Sequence, residues 1–200
     1  FKITELMIFA LIYKRMKIAI IGTGNVGGAL ATKWAHKGHE INLGVRDTTR
    51  FKGENLLNNP NTQAFSVSEA VQKSEVVVLA VPAVMAVEVT QSLGNTEGKT
   101  IIDTMNIVMG RGPAGYSNTC DAILAHTQTR DVVKCFNTTG YNNMLNTVYN
   151  GMAIDAFVAG DSAKGRELAI TLAKDAGFGD CYAIGGNDKY ELMEKFAFFW

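Results

Sequence analysis

The sequence has little of what disulfide frameworks, metal sites and nucleic-acid surfaces require. Only three of its 200 residues are cysteines; Cys120, Cys135 and Cys181 are far apart and form no CxxC pair. This spacing argues against a disulfide framework and a zinc site, so we expect three reduced, buried thiols in a cytoplasmic protein. Basic and acidic residues both number 19 and no basic run occurs. A nucleic-acid partner is therefore not expected.

The sequence also lacks an apolar run of membrane-spanning length. The run from Leu6 to Tyr13 has only eight residues, whereas a bilayer requires about 20. Lys14 and Arg15 follow this run, whereas a secretory signal carries its positive charge before the apolar segment. We therefore expect no membrane partner and interpret residues 1–15 as an extension, non-native or disordered, with Met16 as the natural start. A short membrane-surface helix is the alternative for this segment.

The remaining residues, 16–200, alternate short apolar runs with amphipathic stretches, a pattern typical of βαβ units. We predict one α/β domain of the Rossmann type, doubly wound around a mostly parallel sheet, with a small C-terminal extension of the same domain. The predicted strands are 17–22, 40–45, a short strand around Phe65, 75–81, 100–103, 131–136, 155–159 and 181–184. The predicted helices are 25–37, 67–73, 83–93, 121–127, 161–176 and 189–200.

A glycine-rich turn follows the first predicted strand. Gly22, Gly24 and Gly27 form a GxGxxG pattern between a strand and a helix, which is the context that a dinucleotide requires. The first glycine permits the tight turn, the second lets the backbone approach a pyrophosphate, and the third lets the helix pack closely on the strand. The N–H groups at the start of that helix then face the anion. The sequence therefore predicts a dinucleotide site here.

The end of the second strand favours NADP over NAD. An NAD site has an Asp or Glu about 20 residues after the glycine turn, but here Arg46 stands near that position and Arg50 follows four residues later. A guanidinium can form two hydrogen bonds to a 2′-phosphate. Glu40 lies at the wrong end of the strand. Asp47 is the alternative, because a shift of one residue would make it the ribose-binding acid.

With these residues in hand, the chain resembles the NADPH-dependent reductases of the deazaflavin coenzyme F(420), from Met16 nearly to the C-terminus. Two segments, the glycine turn and the Gly38–Asp47 region, are common to many dinucleotide enzymes. Two others are more specific to the family. They are Phe136-Asn137-Thr138-Thr139-Gly140 and Ala159-Gly160-Asp161.

The resemblance implies one compact domain that binds NADP along the strand ends and transfers hydride to a deazaflavin, a flavin or a quinone-like ring. Arg46 and Arg50 match the family's 2′-phosphate positions. The other residues that the resemblance assigns to cofactor and substrate are Gly22, Thr23, Gly24, Asn25 and Val26 at the pyrophosphate, Val81, Pro82 and Asn106 at the nicotinamide, and Asn137, Thr138 and Gly140 beside the second substrate.

Direct hydride transfer requires two stacked rings rather than an acid–base pair. This requirement agrees with a sequence that shows no catalytic triad, no paired carboxylates and no obvious lysine base. We accordingly predict no catalytic side chain and no metal. The three histidines, His36, His39 and His126, are interpreted as structural or surface residues.

Two features of the C-terminal part leave the acceptor open. The family usually carries a Ser-Asn-Ala-Arg-like segment before the last helix, but Gly185–Leu192 keeps only its asparagine, as Asn187. The apolar run Phe196–Trp200 either packs in the core or, if exposed, forms a contact for a homodimer. A small 3-hydroxyacid or imine reductase and a non-enzymatic NADP-binding module remain the alternative functions.

Overall fold

The computed structural model describes residues 15–199, which form ten strands, seven α-helices and three 3-10 turns. The expected N-terminal extension lies outside the described residues, apart from Arg15. The strands are β1 Lys17–Ile21, β2 Glu40–Val45, β3 Thr62–Ser66, β4 Val76–Leu79, β5 Thr100–Asp103, β6 Val132–Cys135, β7 Val148–Tyr149, β8 Met152–Ala153, β9 Ala156–Ala159 and β10 Cys181–Gly185. The helices are α1 Asn25–Lys37, α2 Val67–Gln72, α3 Ala86–Ser92, α4 Thr119–Ala125, α5 Tyr141–Leu145, α6 Ala163–Ala176 and α7 Tyr190–Phe199.

Eight strands form one sheet in the order β10-β9-β6-β5-β4-β1-β2-β3. The six strands from β3 to β6 are mutually parallel, whereas β9 runs antiparallel to β6 and β10 runs parallel to β9. The strand order reverses direction at β1 and β4, where a doubly wound sheet opens a crevice for a ligand. The predicted fold, including its C-terminal extension of the same sheet, is confirmed.

Alternation along β1 builds both halves of the core. Ile18 and Ile20 face the layer that contains α1 and α6, whereas Ala19 and Ile21 face the opposite layer with α2 to α4 and α7. Successive side chains of a strand point to opposite faces, so a sheet covered on both sides needs apolar residues at every position. Trp34 of α1 is fully buried and donates a hydrogen bond from Nε1 to the Leu172 carbonyl at 2.8 Å.

The predicted elements and the observed ones differ mainly at their ends and in short elements. The central strand predicted at 75–81 is limited to β4, because Leu79 is its last residue paired with β1 and β5. The first helix ends as predicted, with Gly38 in the left-handed conformation at φ 106°. Three short elements were not predicted: α5 with five residues, the hairpin of β7 and β8, and a 3-10 turn at Glu54–Asn58. Each is too short to show a hydrophobic period in sequence.

The last helix leaves part of its apolar run outside the core. Phe198 and Phe199 are 68% and 88% exposed, so core packing is the wrong interpretation for these two rings. Their participation in a homodimer stays a prediction. No helix within residues 15–199 is long and apolar enough to cross a membrane.

Candidate functional site

The glycine turn has the geometry that a bound pyrophosphate requires. Gly22 adopts φ 104°, and a Cβ there would lie 2.4 Å from the Ala80 carbonyl oxygen. A Cβ on Gly27 would lie 1.9 Å from the Gly22 carbonyl oxygen, whereas one on Gly24 would meet no atom within 4 Å. Two glycines thus close the turn, and the third leaves space beside its backbone. No side chain caps the start of α1, so the N–H groups of that end are available to an anion.

The turn is tied to the loop that follows β2. The Thr23 hydroxyl donates a short hydrogen bond to the Lys52 carbonyl, and a Cβ on Gly53, which has φ 91°, would lie 2.6 Å from the Thr23 carbonyl oxygen. The predicted pyrophosphate residue Thr23 therefore also has a structural role. It fixes the loop that carries Arg46 and Arg50 against the turn.

Both predicted 2′-phosphate residues are exposed at the carboxyl end of β2. Arg46 directly follows the strand, and among residues 15–199 no carboxylate pairs with Arg46 or Arg50. Asp47, the alternative ribose acid, accepts hydrogen bonds from the Thr49 hydroxyl at 2.6 Å and the Thr49 N–H at 2.8 Å. These bonds lower the pKa of Asp47 and assign its carboxylate to closing the loop.

A cleft of about 420 Å³ opens at the glycine turn, which is within the usual range for ligand sites. Thr23, Gly24 and Asn25 line one end, and Lys52 lines the wall formed by the loop after β2. The sequence analysis missed Lys52, although it is the third cation after β2 and its position two residues after Arg50 could have revealed it. Tyr141 of α5 also lines this cleft, on an element that was not predicted.

The residues predicted at the nicotinamide lie along neighbouring strand ends. Val81 lies beside the turn, since its Cγ1 would be 2.9 Å from a Cβ on Gly22, and exposed Pro82 follows it. Asn106 and Asn137 bind each other: each side-chain amide nitrogen donates at 2.8 Å, to the carbonyl oxygen of Asn137 and to the Oδ1 of Asn106 respectively. The structure therefore brings these two predicted residues together, on the loops that follow β5 and β6.

A strained residue aims Asn137 at its partner. Phe136 has φ 61° and is buried. This left-handed conformation costs free energy for a bulky side chain. Its ring packs edge-on against Trp34, with the ring centroids 5.6 Å apart. The next side chain, that of Asn137, points instead toward α7 and donates to the Met193 carbonyl at 3.0 Å. Beyond it, Thr138 is 9% exposed, and Gly140 immediately precedes α5.

A buried charge cluster lies behind these amides. The Lys134 ammonium is fully buried and lies 2.6 Å from the Asp103 carboxylate and 3.0 Å from that of Glu194. Glu194 also accepts the N–H of Ile107 at 2.8 Å and that of Thr119 at 2.9 Å. The cluster therefore anchors α7 to the loop that carries Asn106.

The sequence analysis found neither paired carboxylates nor a lysine base. The structure shows that the cluster does bring two carboxylates together. Asp103 and Glu194 do lie near each other, although 91 positions separate them. Burial by itself would lower the pKa of Lys134, but the neighbouring carboxylates outweigh it and raise this pKa. The lysine therefore stays protonated and cannot serve as a base. All three cysteines are free and buried as expected, and burial raises the pKa of the Cys120 thiol. Residues 15–199 contain no group of three or more potential metal ligands.

The residues present fit NADP. The open side of Gly24 and the uncapped start of α1 suit a pyrophosphate, and the guanidinium groups without carboxylate partners suit a 2′-phosphate. The paired amides of Asn106 and Asn137 follow β5 and β6, which stand two and three strands away from β1 and its turn in the sheet order, about 10 and 14 Å at the usual strand spacing. A dinucleotide lying across the strand ends would span that distance.

Comparison with known proteins agrees with this geometry. Residues 17–107, a little under half of the chain, match the model of a family described as NADP oxidoreductase coenzyme F(420)-dependent. The match confirms, over that segment, the resemblance drawn from the motifs. A glycerol-3-phosphate dehydrogenase (NAD(P)+) from Thermoanaerobacter sp. strain X514 is 26% identical over 90% of this chain. The chain spans only 64% of that relative's length.

Two solved structures show the same fold. A candidate F(420)-dependent NADP-reductase from Arthrobacter sp. FB24 superposes with a TM-score of 0.78 at 24% identity, covering 92% of this chain and 91% of its own. An imine reductase from Pseudomonas sp. superposes with a TM-score of 0.71 at 16% identity, covering 93% of this chain and 62% of its own. Together the comparisons support the coarse class of an NAD(P)-dependent oxidoreductase.

Proposed function

We propose that this protein is an NADPH-dependent oxidoreductase that transfers hydride between NADPH and a deazaflavin such as coenzyme F(420), or a similar flavin-like or quinone acceptor. The observation that carries the proposal is the alignment of three features along the strand ends. They are the open glycine turn, the guanidinium groups after β2, and the amide pair Asn106–Asn137. Bound NADPH supplies the hydride, and the protein supplies binding and orientation.

Each group has a defined task in this proposal. The N–H groups of α1 and the backbone at Gly24 hold the pyrophosphate, while Arg46 and Arg50 bind the 2′-phosphate. Val81 and Pro82 form one wall for the nicotinamide, and the amide pair fixes the opposite wall. Lys134 is buried and paired with Asp103 and Glu194, so it takes no part in this transfer, which requires no base. This arrangement suits ring-to-ring transfer, whose rate depends on distance and orientation.

The nucleotide half of the proposal is tested by fluorescence titration. We expect NADPH to bind at least tenfold more tightly than NADH, a difference of about 1.4 kcal/mol in binding free energy. Arg46→Ala should weaken the binding of NADPH and leave the affinity for NADH unchanged. Arg130→Ala is the matched control, because Arg130 is exposed just before β6, at the sheet edge opposite to Arg46, and donates a hydrogen bond to the Leu124 carbonyl. Equal affinities for the two nucleotides would contradict the NADP assignment.

The acceptor half is tested by stopped-flow oxidation of NADPH with F(420), FMN and quinones. We expect rapid oxidation with at least one of these rings. Turnover confined to a hydroxy acid or an imine would favour the alternative reductase instead. NADPH binding without any turnover would favour the non-enzymatic NADP-binding module.

A further inference from the structure

A second, smaller crevice lies where α7 crosses the antiparallel edge of the sheet. Its volume is about 190 Å³, less than the range usual for drug-sized ligands, so it has room for a small ring system. It is lined by Thr138, Phe157, Ile184, Leu192, Met193 and Phe196. None of these side chains is charged, and the Thr138 hydroxyl is their one oxygen or nitrogen.

The crevice shares a wall with the amide pair. Thr138 directly follows Asn137, and the Asn137 amide donates to the carbonyl of Met193, another lining residue. A group seated in the crevice therefore lies next to the residues proposed to orient the nicotinamide. Hydride transfer needs this kind of adjacency, with the reacting atoms about 3–3.5 Å apart.

Two lysines, one in α7 and one just before it, are paired with carboxylates. Lys189 Nζ lies 2.5 Å from the Asp188 carboxylate, and Lys195 Nζ lies 2.6 Å from that of Glu191. The segment before α7 also lacks an arginine. An anionic or strongly polar acceptor would lose its hydration in this crevice, and the apolar lining would supply few hydrogen bonds in return.

We infer that the crevice binds the body of the hydride acceptor, and that this acceptor is an uncharged, apolar ring of the quinone class. This inference rests on the proposed function and selects among its acceptors. Phe157 and Phe196, with centroids 5.8 Å apart at 67°, offer a ring edge and a ring face to a flat aromatic ligand. The quinone takes up a hydride from the nicotinamide and a proton from water, so it becomes a hydroquinone while NADPH becomes NADP+.

The test compares two acceptors that share one ring system, 2-methyl-1,4-naphthoquinone and its sulfonated counterpart. We expect kcat/KM to be at least tenfold higher for the uncharged quinone, after subtraction of the rate without protein. Phe196→Ala should lower kcat/KM for this quinone at least tenfold with NADPH affinity unchanged. Phe198→Ala is the matched control, because this ring on the same helix is exposed and lies outside the crevice.

A second variant keeps the test independent of folding defects. Leu192 is 53% exposed, so Leu192→Lys should fold normally and shift preference toward the sulfonated quinone. Equal kcat/KM for the two quinones, or a clear preference for F(420), would overturn this inference and leave the proposed function intact. Failure of every acceptor while NADPH still binds would overturn both. Analytical ultracentrifugation of both phenylalanine variants completes the test. If Phe196→Ala abolishes a dimer but leaves the KM for the quinone unchanged, the crevice is a contact between two copies of the chain and the inference is wrong.

Discussion

The proposed nucleotide region, β1 to β4 with the loop after β2, and the proposed acceptor region, from β5 to α7, are built in different ways. The first relies mainly on backbone, in a tight turn, an uncapped helix start and positions where a Cβ would collide, and adds the side chains of Arg46 and Arg50 for the proposed 2′-phosphate contact. The second uses side chains from distant segments, as in the contacts that join Asn106, Asn137 and Met193. The residues of the glycine turn are consecutive in the sequence, whereas the residues of the acceptor region come together only when the chain folds.

The largest expected effect tests the dependence of the acceptor region on its buried cluster. Lys134→Met should lower the free energy of unfolding by about 3–5 kcal/mol, because it leaves two buried carboxylates without their cation. Lys164→Met, which removes an exposed partner of Asp131, should cost about 1 kcal/mol or less. Urea denaturation of both variants checks the difference. Similar losses would show that the cluster contributes no more than a surface pair.

A second prediction separates shape from binding in the nucleotide region. Gly27→Ala should destabilise the fold by about 1–3 kcal/mol through overpacking, because its Cβ would lie 1.9 Å from the Gly22 carbonyl oxygen. Gly24→Ala should leave the melting temperature unchanged and weaken NADPH binding, since its Cβ would enter the space proposed for the pyrophosphate. Thermal melts and NADPH titrations decide the matter. Unchanged NADPH affinity in Gly24→Ala would contradict the proposal that the pyrophosphate lies beside Gly24.

A third prediction concerns how α7 positions the acceptor site. Glu194→Gln keeps one acceptor oxygen, so it loses one of the two hydrogen bonds from Ile107 and Thr119 and removes one of the charges paired with Lys134, at a cost of about 2 kcal/mol. We expect a higher KM for the acceptor with NADPH affinity unchanged. Glu191→Gln on the exposed face of the same helix should change neither. A change in NADPH affinity with an unchanged KM for the acceptor would contradict this prediction, because it would show that Glu194 acts on the nucleotide region.

The smallest predicted effect concerns a contact between the two regions. His39, at the start of β2, is buried, and its Nε2 lies 3.1 Å from the Asp175 carboxylate of α6. Burial lowers the pKa of His39 below 6.5 despite that carboxylate. The unfolded chain therefore binds more protons just below pH 6.5, and stability should fall as the pH drops through this window.

The control for this pH dependence is His39→Asn, whose Oδ1 can accept the Met16 N–H that the Nδ1 of His39 now accepts. Stability of the variant, measured by denaturation between pH 5 and 7.5, should vary less with pH than that of the unaltered protein. An unchanged slope would assign the dependence to another group.

The same contrast explains how much could be predicted from the sequence. The glycine turn, the α1 helix with its Gly38 cap and the doubly wound sheet were predictable because periodicity and turn residues are local signals. The antiparallel pairing of β9 with β6 carries no such signal, because both strands have only four residues and neither sequence specifies strand direction. The pairing of Glu194 with Lys134 depends on where α7 docks. The family motif named Asn106 and Asn137, but it could not show that they bind each other.

The most direct test of hydride transfer is a single-turnover measurement with NADPH deuterated on either face of the reactive nicotinamide carbon. The proposed mechanism requires that one face of the ring be turned toward the acceptor, so we expect NADPH oxidation to slow severalfold for one labelled form and to change little for the other. Equal rates with both labelled forms and with unlabelled NADPH would contradict rate-limiting hydride transfer from an oriented nicotinamide. Failure to oxidise NADPH with any acceptor would contradict the account as a whole.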